Sequence, residues 1–100
     1  MGLKGKWTKI SVPSLQVGPA WRERFGDVRC NLLKIDVEGA ELDFLGLEQD
    51  FLNQVDSILV EWHKWRVNLD QLKAFLGKRG FALIKILDES AEMGTAFFRH

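Results

Sequence analysis

Asn31-Leu32-Leu33-Lys34-Ile35-Asp36-Val37-Glu38-Gly39-Ala40-Glu41 is the stretch whose reading decides the fold. Asn31 to Val37 is a compact apolar run in which Lys34 and Asp36 are the only charges. Such a run predicts a strand covered on both faces, as in parallel sheets. From Glu38 onward the period becomes helical: Ala40, Phe44, Leu47 and Phe51 recur on one face, and Leu45 and Leu52 widen the stripe. Acidic residues crowd the first turn, where the helix dipole favours them. Gly46 is expected to end this helix, leaving a short second one to about Asn53.

The pattern repeats on both sides. Upstream, Lys9 to Leu15 alternates polar and apolar residues around Pro13, which predicts an edge strand because proline cannot donate to a ladder. Gly18 and Pro19 break the chain, and Ala20 to Phe25 forms a short helix ended by Gly26. Downstream, Val55 to Trp62 is a second apolar, β-branched strand. Asn68 stands three residues before Gln71, a capping-box spacing that opens a helix with Leu69, Leu72, Phe75 and Leu76 on its buried face and Gly80 at its end. Phe81 to Leu87 and Thr95 to Phe98 are the last strands, joined across Asp88 to Gly94 by a wide hairpin.

Strands alternating with helices imply parallel strands and right-handed crossovers, with only the final pair antiparallel. The expected architecture is an α/β three-layer sandwich, a mostly parallel sheet with a C-terminal antiparallel hairpin. One hundred residues suit a single domain over 1–100. Hydrophobic residues at 46% and charged ones at 28% exclude disorder. Fourteen basic residues balance fourteen acidic ones, which disfavours nucleic acid as a partner. No apolar run approaches the roughly 20 residues of a membrane span. The single cysteine, Cys30, allows no internal disulfide and no thiolate zinc site. A cytoplasmic protein is the expectation. Cys30 itself reads as a small buried filler.

Ile35 to His63 carries eight acidic residues and no Lys or Arg. In open parallel sheets, ligands bind at the carboxyl ends of the strands. That rule selects Asp36 and Glu38 after one strand, and Glu61 and His63 at the end of the next. If the strands are neighbours, these four converge, with Glu61 and His63 on one face because strand side chains alternate. They are the candidate catalytic residues. Such a cluster suits proton abstraction, and would equally suit a divalent ion, so no metal is assigned. The plainer alternative has Asp36 and Glu38 capping the helix while Glu61 pairs with Lys64 or Arg66. Acids on two strands followed by Lys64 also resemble a metal-dependent nuclease, but the acid-to-lysine spacing is one residue too long. Of the four tryptophans, Trp62 and Trp65 lie closest to the cluster; core or subunit packing is favoured over substrate stacking.

The run Leu32-Leu33-Lys34-Ile35-Asp36-Val37-Glu38-Gly39-Ala40-Glu41, continued by Leu45-Gly46, resembles the signature of FkbM-type methyltransferases, class I S-adenosylmethionine-dependent enzymes. The likeness extends from Lys9 to the closing hairpin and implies a partial Rossmann-like class I fold, the carboxyl-terminal part of a methyltransferase domain. It implies methyl transfer to the hydroxyl of a small molecule, a sugar, lipid or natural product. Asp36 would lie near the methyl and touch the cofactor, and Glu61 or His63 would take the acceptor proton. The family's glycine-rich cofactor loop is absent, and no Gly-x-Gly occurs in the chain. The expectation is therefore a segment lacking the main S-adenosylmethionine-binding half and inactive alone; the alternative is a non-catalytic α/β association module. Loss of that half would expose one edge of the Asn31–Val37 strand. Either Lys9–Leu15 or a second chain in a homodimer would fill it.

Overall fold

A computed structural model describes residues 7–10, 17–36 and 41–100 of the chain. The elements are β1 (Trp7–Ile10), α1 (Val17–Phe25), β2 (Leu32–Ile35), α2 (Glu41–Leu47), α3 (Gln49–Leu52), β3 (Ser57–His63), α4 (Leu69–Gly77), β4 (Ala82–Glu89) and β5 (Met93–Arg99). They form one five-stranded sheet in the order β1-β2-β3-β5-β4. β1, β2 and β3 are parallel, and β5 runs antiparallel to both β3 and β4.

Several boundaries differ from expectation for local reasons. The first strand lies at Trp7–Ile10, so Ser11 to Leu15 of the expected strand fall outside the described residues. It pairs with β2 in the register Trp7↔Leu32 to Ile10↔Ile35, filling that edge from within the chain. Helix α1 starts at Val17, with Pro19 in its first turn, where a missing N–H costs nothing. Gly26 follows it at φ 64°, the left-handed conformation that stops a helix. α2 runs through Gly46 to Leu47. In α4 the capping box is complete: Asn68 Oδ1 accepts from the Gln71 amide at 2.8 Å, and Gln71 Oε1 accepts from the Asn68 amide at 2.9 Å. The β4–β5 hairpin is tighter than expected, because Ser90 N–H donates to Met93 O at 2.7 Å and turns the chain over residues 90–92.

The α/β class holds, and the described helices pack against one face of the sheet. Along β2, β3 and β5 burial alternates strictly, so one face of the sheet is buried and the other half-covered. Leu33, Ile35, Ile58, Val60, Trp62, Ala96 and Phe98 share one core with Val17 and Trp21 of α1, Phe44 and Leu45 of α2, and Leu72 and Leu76 of α4. Leu32, Leu59 and Phe97 point the other way and are only partly buried. The reason is topological. The crossovers β1→β2, β2→β3 and β3→β4 all step in one direction across the sheet, and right-handed crossovers of one direction stack their helices on one face. Among the described residues the molecule therefore has two layers. Asp36, Glu61 and His63 fall on the half-covered face.

Candidate functional site

β2 and β3 are paired in the register Leu33↔Ile58 to Ile35↔Val60, so the residues that follow, Asp36 and Glu61, emerge side by side at the carboxyl rim. His63 lies two residues further along β3, on the same face as Glu61. One carboxylate oxygen each from Asp36 and Glu61 and one ring nitrogen of His63 all lie within 4.8 Å of one another. Three of the four candidate residues thus come together as expected. Glu38, with Gly39, lies outside the described residues.

The plainer reading of Glu61 does not hold. Lys64 Nζ is 2.6 Å from Glu89, and Arg66 is 3.0 Å from Asp43, so both cations are turned toward other acids. Desolvation, followed by the charge of Asp36 and a hydrogen bond with it, pushes the Glu61 carboxyl above its ordinary value; His63 and Lys34 pull the other way. Two neighbouring carboxyls beside an imidazole can accept and pass protons. The same three side chains are also those that could hold a divalent cation.

Two buried acids went unread as site or framework residues in the sequence. Glu41, the first residue of α2, is fully buried; its Oε1 accepts the His63 backbone N–H at 2.8 Å, and its Oε2 lies 3.4 Å from His63 Nδ1. Its only signal was its place at the end of the 31–41 run. Glu48, just after α2, accepts from the Val17 and Gly18 amides at 3.0 and 2.9 Å and caps α1 from 30 residues away.

The tryptophans divide. Trp62 is buried against Gly94, where any added Cβ would overlap its ring. Trp21 is buried and donates its indole N–H to Val28 O at 2.8 Å. Trp65 is 71% exposed and, with Lys64, Ala91 and Glu92, lines a pocket of about 420 Å³. Cys30 is the buried filler expected, and burial pushes its thiol up to about 11.

Parallel strands that deliver acids and an imidazole to one carboxyl rim, closed by an antiparallel pair, define a Rossmann-type α/β segment. Comparison with known proteins agrees. A protein of the NADB-Rossmann superfamily from Streptococcus agalactiae superimposes with a TM-score of 0.55 at 20% identity, over 72% of this chain and 32% of its own. A candidate tRNA (m1A22) methyltransferase from Streptococcus pneumoniae, solved with S-adenosyl-L-methionine, gives 0.53 at 19% identity, over 70% of this chain and 34% of its own. At such identities the likeness is one of fold. The family is set by sequence: residues 7–83 match the Methyltransferase FkbM domain, and the chain belongs to the FkbM methyltransferase family. "Methyltransferase 1" of Beauveria bassiana (strain ARSEF 2860) is 41% identical over 56 residues, 55% of this chain. The chain spans 22% of that relative's length.

The strand beside β2 is β1, and the sequence that follows it, Ser11 to Gln16, contains no glycine. The first amides of α1 are already taken by the carboxylate of Glu48.

Proposed function

We propose that this chain is the acceptor-side part of an S-adenosylmethionine-dependent O-methyltransferase, acting on a hydroxyl of a sugar, lipid or natural product. The observation that carries the proposal is the convergence of Asp36, Glu61 and His63 within 4.8 Å on the carboxyl rim. The acceptor hydroxyl gives its proton to Glu61 or His63 as its oxygen takes the methyl group. Asp36 lines the side of the rim facing the methyl. A positioned base is worth about 10²- to 10⁴-fold, and alignment of the reactants supplies much of the rest. The methyl donor is held outside the residues described here, and this chain alone is inactive. A cytoplasmic location without nucleic-acid or membrane partners belongs to the same proposal. It is supported by the balanced charge and by the fact that no described helix is long and apolar enough to cross a membrane.

The test has two arms. Calorimetric titration of the chain with S-adenosylmethionine should give no heat of binding; tight binding would overturn the division of labour. In an active enzyme carrying this segment, Glu61→Gln should lower turnover by about 10²-fold with folding intact. Unchanged turnover would remove Glu61 from the chemistry, and unchanged turnover in His63→Gln as well would favour the association module.

A second reading rests on the same distances. Two carboxylates and an imidazole suit a divalent cation that would polarise the acceptor hydroxyl. Titrating the chain with Mn²⁺ decides it: binding abolished by Asp36→Asn supports the metal reading, and absence of binding leaves direct proton transfer.

A further inference from the structure

We infer that Glu41 is a positioning residue that holds the His63 ring so that Nδ1 carries the proton and Nε2 is the nitrogen left to accept one from the acceptor. The inference rests on the acceptor-side reading above. One carboxylate meets His63 at two points, accepting its backbone N–H at 2.8 Å and lying 3.4 Å from Nδ1. Nδ1 is buried, and no hydrogen bond reaches it. With a carboxylate oxygen as its near neighbour, a lone pair there would face lone pairs, whereas an N–H faces negative charge. The carbonyl of His63 is also held, accepting from the amides of Arg66 and Val67 at 3.1 and 2.9 Å, so the backbone cannot swing the ring away. Glu41 is fully buried, and its position is fixed by the start of α2. A buried acid that fixes the tautomer of an imidazole, without touching the reacting atoms, acts as the third member of a base–orienter arrangement.

The experiment uses the full chain with ¹⁵N-labelled histidine, read by long-range ¹H–¹⁵N spectra at a pH where the ring is neutral, with His100→Gln to assign the two histidines. In the wild type the His63 proton should sit on Nδ1. Glu41→Gln keeps an oxygen for the His63 amide but turns an NH₂ toward Nδ1, so the proton should move to Nε2. In an active enzyme carrying this segment the same substitution should cost about 10²-fold in kcat, with KM little changed. A wild-type proton on Nε2 overturns the inference without any variant, and so does an unchanged tautomer in a folded Glu41→Gln chain. A tautomer switch with no loss of kcat would uphold the clamp and instead remove His63 as the base.

Discussion

Asp36 and Glu61 meet across the β2–β3 pair, with one carboxylate oxygen of each within 4.8 Å of the other at the carboxyl rim. The arrangement costs stability whenever both are ionised. It persists because Val60 and Trp62, which flank Glu61, are locked into the core on the opposite face and fix where Glu61 must point.

The pH dependence follows from that pair. The Glu61 carboxyl in the folded chain lies above its ordinary 4.5, so the folded state holds its proton more tightly than the unfolded state does. Stability contributed by this proton is therefore present at low pH and lost as pH rises through the folded value. Glu61→Gln should melt a few degrees higher than wild type at about pH 7, and the gap should close near pH 3. Melting curves at the two pH values check it; a gap that widens in acid would contradict the assignment.

Gly94→Ala should be severe for a β-strand glycine. An added Cβ would overlap the indole of Trp62, which is itself buried in the core. Overpacking of this kind costs about 1–3 kcal/mol. The shift in denaturant midpoint measures the cost, and near-neutral behaviour would mean that Trp62 can repack.

Glu48→Ala should destabilise the chain by about 1–3 kcal/mol, because it leaves the buried amides of Val17 and Gly18 without an acceptor. The loss should be concentrated in α1. Hydrogen exchange would show its amides opening first while those of α4, capped by its own Asn68–Gln71 box, keep their protection.

Adjacent phenylalanines on β5 test the two-layer packing. Phe98 is fully buried in the core, whereas Phe97 lies on the half-covered face. Phe98→Ala should cost about 3–5 kcal/mol, as core truncations do. Phe97→Ala should cost clearly less in this chain. Equal costs would require a second packed layer over Phe97.

Much of this was legible beforehand. Asn31–Val37 and Val55–Trp62 read as strands because their apolar runs have no other way to be buried, and Asn68–Gln71 opens a helix by a bond pattern confined to four residues. The convergence of Asp36, Glu61 and His63 was also readable, since adjacent parallel strands must present their carboxyl ends together. Which face of the sheet carries the core is not legible locally, because an apolar run signals burial without saying on which face. Leu32 and Leu59 are as apolar as Leu33 and Ile58, and only the direction of the crossovers separates them.

The sequence by itself determined the local elements, the family motif and the acids of the rim, because turns, caps and strand alternation act between near neighbours. Tertiary structure alone decided which partners those residues meet. Glu48 reaches an amide 31 positions away, Glu41 grips a histidine 22 positions away, and Trp62 packs on Gly94 from another strand. Such pairings depend on how the chain closes in space, and side-chain spacing along the chain carries no record of that closure.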